Sequence, residues 1–334
     1  MYYFIVNPGS RSGNGKVVWQ TIEEILEREQ VEYRVYFTSY RYHATKLAKE
    51  ITSRGEKLTL VTVGGDGTVN EVVDGIQDFN KVTFGYIPTG SSNDFARSLK
   101  LPSAPEAALH NILHPSYFQR IDLGLITYGS WSRRFAGSCG CGFDAAVCQE
   151  ALGSPIKNVL NRFGLGKLTY VGIALKQILL FRPVPVRLTL DHHKKLRFPR
   201  TYFLSALNCP YEGGGLKMCP QAKADDGFLD VCVVEGLSKL TIALMFPTAY
   251  RGRHNIFKGI HQYRVKSLEI RPEKPLPFHT DGEPYAPEDV LTVSCLSGAL
   301  TIIGGSVLAH FLVGESFEIK SILAGAEIER SGFV

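Results

Sequence analysis

The segment Leu58-Thr-Leu-Val-Thr-Val-Gly-Gly-Asp-Gly-Thr-Val-Asn-Glu71 decides the fold. Its first seven residues are mostly apolar and predict a buried strand over Leu58–Gly64, and helical periodicity follows over Thr68–Ile76. Glycines between a strand and a helix let backbone N–H groups approach a phosphate, and the helix start favours negative charge. The segment therefore predicts an α/β sheet that binds a polyphosphate at the end of this strand.

Similar alternation extends through the first third of the chain. The predicted strands are Tyr2–Asn7, Tyr33–Thr38, Leu58–Gly64 and Thr83–Ile87, and the predicted helices are Val17–Arg28, His43–Ser53, Thr68–Ile76, Asp94–Leu99 and Pro105–Leu113. Strands that alternate with helices indicate an open, mostly parallel sheet with helices on its faces. We predict an α/β nucleotide-binding domain over residues 1–120.

The pattern changes after about residue 120, where short strands recur between Gly and Pro residues. The predicted strands are Gln119–Ile126, Arg134–Cys139, Val186–Leu190, Arg197–Leu207, Leu229–Val234, Tyr263–Ile270 and Leu291–Cys295, with one helix at Leu168–Leu180. This pattern favours an antiparallel β-rich domain over residues 121–304. The fold class is therefore α/β plus β, and the tail from about residue 305 is free to return to the first domain.

Composition excludes several classes of protein. The chain has 334 residues, of which 44% are hydrophobic and 21% charged, and this is typical of a globular protein rather than a disordered one. Seven cysteines without a CxxC pair argue against a disulfide framework or a zinc site and fit a reducing cytoplasm. The uncharged stretch Val290–Val313 is diluted by polar residues, so we predict a buried strand-turn-helix rather than a membrane span.

The net charge of +5 is unevenly distributed. Residues 156–200 contain ten Lys or Arg and one acidic residue, Asp191, so the rest of the chain carries −4. These cations either form a solvated face or contact an anionic partner, and the apolar residues between them favour a membrane surface over nucleic acid. We expect a cytoplasmic protein that associates peripherally with an anionic membrane and does not bind nucleic acid; a homodimer is left open.

Two further glycine-containing loops follow predicted strands. The first, Asn7-Pro-Gly-Ser-Arg-Ser-Gly-Asn-Gly-Lys16, matches neither a Walker loop nor GxGxxG, and an ordinary tight turn explains it as well as a phosphate loop does. The other, Ile87-Pro-Thr-Gly-Ser-Ser-Asn-Asp-Phe-Ala-Arg97, is rich in helix-capping residues, so it also has a structural interpretation. Ligands bind at the carboxyl ends of such strands, and three loops on one sheet favour a nucleotide site.

Asp66 carries a negative charge in a loop that is predicted to bind a negatively charged phosphate. Mg²⁺, bound directly or through water, would resolve this conflict, and the alternative is that Asp66 caps the helix. Glu283 follows a glycine in Asp281-Gly-Glu-Pro, a turn that could direct a carboxylate into a cleft. Phosphoryl transfer to an alcohol needs an acceptor for the hydroxyl proton, so Glu283 is either a catalytic base or part of a surface turn.

The ordered motifs resemble the soluble diacylglycerol kinase family, whose relatives include sphingosine and ceramide kinases. The motifs are Asn-Pro-x-Ser-x-x-Gly from residue 7, Gly-Gly-Asp-Gly-Thr from residue 64, Pro-x-Gly-Ser-x-Asn-Asp-Phe from residue 88, Gly-Cys-Gly-Phe-Asp from residue 140, Gly-Gly-Gly from residue 213, Pro-x-Ala-x-Ala-Asp-Asp-Gly-x-Leu-Asp from residue 220, and Asp-Gly-Glu from residue 281. The resemblance covers most of residues 1–300. The Gly-Gly-Asp-Gly-Thr motif is also shared with NAD kinases.

The resemblance implies ATP in a cleft between the two domains. The implied contacts are Asn7, Ser10, Arg11, Ser12, Gly13, Asn14, Thr38, Gly64, Gly65, Asp66, Gly67, Thr68, Asn70 and Ser91. It also implies a structural Mg²⁺ held by Asp226 and by the main-chain carbonyls of Lys223 and Phe228. Glu283 matches the family's catalytic base, and Asp66 is expected to assist catalysis through Mg²⁺.

The remaining candidates stay open between two roles. Asp122 and Asp144 either join a water-bridged Asp–Mg network or satisfy backbone amides near the domain junction. His43 is interpreted as a helix-start residue, and the other histidines lack metal-ligand spacing. The predicted function is transfer of the γ-phosphoryl group of ATP to diacylglycerol; the alternatives are another lipid acceptor (a sphingoid base, a polyprenol or phosphatidylglycerol), NAD kinase, and a module without catalysis.

Overall fold

The computed structural model describes residues 1–153 and 166–305. The strands are β1 Tyr2–Val6, β2 Tyr33–Phe37, β3 Leu58–Gly64, β4 Val82–Pro88, β5 Phe118–Tyr128, β6 Trp131–Phe135, β7 Ser138–Gly142, β8 Val184–Leu190, β9 Lys194–Leu207, β10 Leu229–Glu235, β11 Ile260–Val265, β12 Ser267–Pro272, β13 Leu276–Thr280, β14 Glu283–Glu288 and β15 Leu291–Ile303. The α-helices are α1 Ser10–Arg28, α2 His43–Thr52, α3 Asp66–Gly75, α4 Asp94–Ser98, α5 Pro105–Leu113, α6 Phe143–Gly153, α7 Gly166–Leu180 and α8 Lys239–Ala249.

The first four strands form the predicted parallel sheet in the order β2-β1-β3-β4. The central strands β3 and β4 are almost entirely buried, as expected of parallel strands covered on both faces. One apolar cluster packs α2 and α3 against the sheet through residues such as Ile51 and Val72, and another packs α1 and α5 through Trp19 and Leu109. The mixed α/β first domain is as predicted.

The long strand β15 connects the two halves of the sheet. It pairs in parallel with β4 at Thr301–Thr83 and antiparallel with β5 along most of its length. The predicted strand-turn-helix over this stretch was therefore wrong in its described part, because the strand continues to Ile303, where Leu300 and Ile302 enter the core of the first domain. The predicted tail beyond residue 305 lies outside the described residues.

The second half is β-rich and antiparallel, with the order β14-β13-β7-β9-β8-β12-β15. Two predicted strands are each split in the structure. The prediction over 134–139 is interrupted because the N–H groups of Ala136 and Gly137 donate to Asp281 instead of continuing a ladder. The prediction over 263–270 is interrupted because the N–H groups of Lys266 and Ser267 donate to Asp191.

Three helices pack over the second half. Helices α6 and α8 were not predicted from the sequence, and α7 was predicted from Leu168 onward. Helices α6, α7 and α8 share an apolar cluster that includes Phe143, Ile178, Ile242 and Met245. Of the helices in the described ranges, none combines the length and the apolar character that crossing a bilayer requires. The apolar cluster that α6, α7 and α8 share includes Phe203 of β9 and Val234 of β10, so the helices pack on the β-rich half.

Candidate active site

The carboxyl ends of β1, β3 and β4 bring the three predicted loops together. The Nδ2 atom of Asn7 in the first loop donates to Oγ1 of Thr68 in the second at 3.1 Å. The hydroxyl of Ser10 lies 2.7 Å from that of Thr89 in the third loop. Because each loop is hydrogen-bonded to another, they form one preorganised surface rather than three separate turns.

Glycine is required where the second and third loops touch. A Cβ atom at Gly90 would lie 2.7 Å from Cα of Gly65, and one at Gly65 would lie 3.1 Å from Cα of Gly90. The Oδ1 atom of Asn93 accepts the Gly90 N–H at 2.9 Å and holds this turn in place. The two glycine motifs are thus explained by backbone contact as well as by access for a ligand.

The first loop forms a left-handed turn before the regular part of α1. Arg11, Ser12 and Gly13 have φ values of 46°, 59° and 98°, a conformation that is rare for residues other than glycine. A loop held in a sparsely populated conformation is a common feature of functional sites. Gly15 packs this turn closely, because a Cβ atom there would lie 2.1 Å from the carbonyl oxygen of Asn7.

A cleft of about 590 Å³ opens between these loops and the turn that begins β14. Its lining residues are Asn7, Pro8, Gly9, Ser10, Arg11, Thr38, Ser39, Tyr40, Arg41, Ala44, Gly65, Gly67, Thr68, Glu71, Gly90 and Glu283. Eight residues predicted from the sequence are among them, from both ends of the chain. The predicted contacts Ser12, Gly13, Asn14, Gly64, Asp66, Asn70 and Ser91 are not.

Glu283 faces the second glycine loop across this cleft. Its Oε1 atom would lie 3.3 Å from a Cβ atom at Gly67, and its side chain is 21% exposed. Its Oε2 atom is paired with the guanidinium group of Arg41, at 2.8 Å from Nη2 and 3.0 Å from Nε. The candidate base and a cation are therefore held together where a phosphate would enter.

Arg41 was not predicted from the sequence. It follows β2, so the rule that ligands bind at the carboxyl ends of strands would have indicated it. Tyr40 lies beside it in the cleft and stacks on His43 with 4.3 Å between ring centroids. Glu71 was also missed; its carboxylate accepts the N–H groups of Tyr42 and Ala44 and so holds the loop that carries Arg41.

The carboxylate of Asp66 contacts the start of a helix other than its own. Its two carboxylate oxygens accept the N–H groups of Asp94 and Phe95, each at 3.1 Å, so it caps α4 rather than the helix that it begins. Burial, followed by the charge of Asp94, raises the pKa of Asp66 to about 6. Its role at Mg²⁺ stays a prediction.

Asn70 does not contact the cleft, contrary to the sequence-based prediction. Its side chain is fully buried, with Nδ2 donating to Asp281 at 2.8 Å and Oδ1 accepting from Arg133 at 2.9 Å. Asp281 in turn accepts the backbone N–H groups of residues 136, 137 and 138. Asn70 therefore connects the first domain to the turn that carries Glu283.

Two family models match the chain. The model described as a diacylglycerol kinase catalytic domain matches residues 1–126, and the one described as a YegS C-terminal NAD kinase beta sandwich-like domain matches residues 137–304, half of the chain. The chain belongs to the diacylglycerol kinase-type lipid kinase family. The motifs on which the sequence-based resemblance rested lie within these two matches.

Curated relatives agree with this assignment. YtlR of Bacillus subtilis, provisionally named a lipid kinase, is 29% identical over 84% of this chain and 93% of its own length. A diacylglycerol kinase of Mycobacterium tuberculosis is 29% identical over 69% of this chain and 71% of its own. A crystal structure from Bacillus anthracis, provisionally titled a diacylglycerol kinase, has a TM-score of 0.69 at 25% identity and covers 91% of this chain and 95% of its own.

The fold also resembles that of an NAD kinase. The enzyme from Archaeoglobus fulgidus, solved in complex with ATP, has a TM-score of 0.51 at 13% identity and covers 94% of this chain and 98% of its own. At that identity the likeness concerns the fold only.

Asp226, the carboxylate that the family resemblance implies as a structural Mg²⁺ ligand, already has two partners in this structure. One oxygen of Asp226 accepts the N–H of Phe228 at 3.1 Å, and the other pairs with the guanidinium group of Arg264. A cation bound at Asp226 would compete with Arg264, whose side chain is 48% exposed and can move away. The ligand set of Asp226, Lys223 and Phe228 therefore remains a prediction.

The structure distinguishes the two roles left open for Asp122. Its carboxylate accepts the N–H groups of Gly227 and Gly298, each at 2.6 Å, and the residue is 1% exposed. It therefore satisfies backbone amides where the β5 and β15 strands meet the 225–228 segment. This contact also places the Asp225-Asp226-Gly227 motif against the sheet.

Asp144 belongs to a separate buried group with Glu212 and His279. Their ligating atoms lie within 4.8 Å of one another, and Nε2 of His279 is 3.2 Å from Asp144. The Nδ1 atom of His279 accepts the Gly282 N–H at 3.3 Å, so the proton of the neutral imidazole lies on Nε2 and is donated to Asp144. Burial, aided by the negative charge of Asp144, raises the pKa of Glu212 to about 7, against the opposing effect of His279. The group supports the turn before Glu283.

Proposed function

We propose that this chain transfers the γ-phosphoryl group of ATP to the hydroxyl of diacylglycerol and forms phosphatidate. The observation that supports this most directly is the position of Glu283 opposite the glycine loops. The loops present backbone N–H groups and small side chains for a polyphosphate, and a carboxylate lies across the cleft where an alcohol would approach. Membership in a lipid kinase family supports a lipid hydroxyl as the acceptor.

The three loops and several charged side chains have roles in the proposed reaction. The first, second and third loops bind the phosphates, and Arg41 and Arg11 supply positive charge beside them. Glu283 accepts the proton of the acceptor hydroxyl. The hydroxyl oxygen attacks the γ-phosphorus, and the bond between that phosphorus and the ADP oxygen breaks. Mg²⁺ bound with the nucleotide would neutralise phosphate charge, and Asp66 is an oxygen donor of the class that Mg²⁺ prefers.

The protein is further proposed to act from the cytoplasm while bound peripherally to an anionic membrane. The excess of cations in residues 156–200 supports this, because the lipid acceptor is located in a bilayer. A sphingoid base, a polyprenol or phosphatidylglycerol would use the same cleft and the same base. NAD kinase is a weaker candidate because the curated relatives described above are named lipid or diacylglycerol kinases, whereas the likeness to an NAD kinase structure concerns the fold only.

The experiment is transfer of labelled γ-phosphate from ATP-Mg to a panel of lipids in mixed micelles. We expect label in phosphatidate, and a loss of about 10²–10⁴-fold in turnover for Glu283→Gln. The control is Glu288→Gln, which makes the same change at the other end of β14. Nucleotide binding by both variants establishes that they are folded.

The outcomes separate the parts of the proposal. Label in another lipid would keep the kinase chemistry and reject diacylglycerol. NADP formed from NAD, without any labelled lipid, would reject the lipid kinase assignment. A Glu283→Gln variant that turns over like wild type would reject Glu283 as the base.

A further inference from the structure

The outer faces of α7 and α8 carry leucines that are exposed to solvent. On α7, Leu175, Leu179 and Leu180 are 51%, 67% and 62% exposed, and on α8, Leu240 and Leu244 are 71% and 58% exposed. Helices on the surface of a globular protein normally present polar residues to solvent. We call these five residues the leucine face.

The core does not account for the leucine face. The inward sides of the same helices are separately apolar, with Ile173 and Ile178 of α7 and Ile242 and Met245 of α8 buried. Helices that are apolar on both sides are expected where both sides are covered. The two helices are joined at their ends, because the ammonium group of Lys239 donates to the carbonyl of Leu179.

The two segments that carry the leucine face contain charges of one sign. Residues 166–182 and 236–258, which include both helices, contain seven Lys or Arg and no Asp or Glu. Five of these cations have exposed side chains and form no salt bridge with an acidic residue in the described part of the chain: Arg182, Lys239, Arg251, Arg253 and Lys258. Lys176 differs, because it is paired with Glu150 of α6 at 2.6 Å. Exposed leucines among unpaired cations match the apolar interior and the anionic headgroups of a membrane.

The leucine face is connected to the candidate active site through α6. The ring of Phe143, the first residue of α6, contacts Phe181 after α7 and Phe246 of α8, with centroid distances of 6.3 and 5.9 Å. The next residue, Asp144, lies 3.2 Å from His279 on β13, the strand that leads into the turn with Glu283. The helices that carry the leucine face are thus packed against α6, which also contacts the two strands on either side of the turn with the base.

We propose that the leucine face docks on an anionic phospholipid bilayer, with α7 and α8 lying in the plane of the interface. This rests on the proposed lipid kinase function, because a lipid acceptor must be reached from the membrane. Since no helix in the described ranges can span a bilayer, the contact is interfacial. Docking would place the second domain, with the turn that carries Glu283, against the lipid.

The first test is flotation with vesicles of phosphatidylcholine, with and without phosphatidylglycerol. We expect wild type to bind the anionic vesicles, and Leu179→Gln/Leu240→Gln to lose about tenfold in affinity for each leucine. Arg251→Gln/Arg253→Gln should lose about fivefold per charge on anionic vesicles only. The control is Trp131→Gln, since Trp131 is 70% exposed on β6, a strand that pairs with β5.

A second readout separates docking from chemistry. With a short-chain diacylglycerol dissolved as monomers, the leucine variant should keep the turnover of wild type, whereas on vesicles its activity should fall in step with binding. If no lipid is phosphorylated, flotation still tests docking. Equal vesicle binding by wild type and the leucine variant would overturn the proposal, as would a wild-type dimer that dissociates in the variant, because a second copy would then cover the face.

Discussion

At the scale of single residues, the pairing of Arg41 with Glu283 is the least expected feature of the cleft. The two side chains come from opposite ends of the sequence and meet at 2.8 Å. A guanidinium group binds phosphate oxygens in a bidentate manner, so an incoming nucleotide would compete with Glu283 for Arg41. Arg41 would then stabilise phosphate charge, and the carboxylate would be released to accept the proton of the acceptor.

We predict that Arg41→Gln lowers turnover and weakens ATP binding, together about 10–100-fold, because a charge-assisted contact to phosphate is lost. Its effect on the free energy of unfolding should stay below about 1 kcal/mol, since the side chain is 45% exposed. Steady-state kinetics with varied ATP measure the first, and urea unfolding the second. Arg34→Gln on the neighbouring strand is the control. Unchanged kinetics would contradict the role.

At the scale of elements, the turn between β13 and β14 holds the candidate base in place. Asp281 has a φ of 48°, and its carboxylate accepts four hydrogen bonds of 2.7–2.9 Å. Three come from the backbone between β6 and β7 and one from Asn70 of the first domain. The turn is therefore fixed from both domains, two residues before Glu283.

We predict that Asp281→Asn lowers the free energy of unfolding by about 2–4 kcal/mol, because an amide group would face backbone donors. Turnover should fall as well, since the turn that carries Glu283 loses its anchor. Chemical unfolding and lipid kinase assays on the same samples measure the two effects. Asp289→Asn changes an exposed carboxyl in the loop that follows β14 and should alter neither. A fully stable Asp281→Asn protein would show that the anchor is unnecessary.

The elements also show what the sequence can predict. The glycine loops were recognisable because the carboxyl ends of parallel strands meet at one edge, so their positions follow from the strand pattern. The burial of Asn70 could not be recognised from the sequence, because it depends on Asp281, which is 211 residues away along the chain. The pairing of Asp226 with Arg264 likewise requires the register of β10 and β11, which no local pattern specifies.

At the scale of the whole molecule, one sheet passes through both domains. Because β15 pairs with β4 and β5, the cleft is formed by two halves of a shared sheet rather than by two loosely connected domains. The alternation of strands and helices predicted the first half and the recurring short strands predicted the second. Neither pattern predicted the shared strand, since β15 returns from the far end of the chain. A shared strand makes the relative position of Glu283 and the glycine loops part of the fold.

The free energy of unfolding should depend on pH, because the folded state buries carboxyl groups. Burial raises the pKa of Glu212 to about 7 and that of Asp66 to about 6, above ordinary values of 4.5 and 3.8. The folded state then holds protons that the unfolded state has released, so the free energy of unfolding falls as pH rises from about 4 to 7. The slope is on the order of 1 kcal/mol per pH unit for each group.

Urea unfolding measured from pH 5 to pH 8 checks this expectation. Wild type should be less stable at pH 8 than at pH 5, and Glu212→Gln should flatten the dependence, because the variant has no carboxyl to deprotonate in the buried group. Glu32→Gln, an exposed change, should leave the slope unaltered. If Glu212→Gln keeps the slope of wild type, the carboxyl of Glu212 does not hold the additional proton in the folded state, and the dependence then comes from other groups such as Asp66.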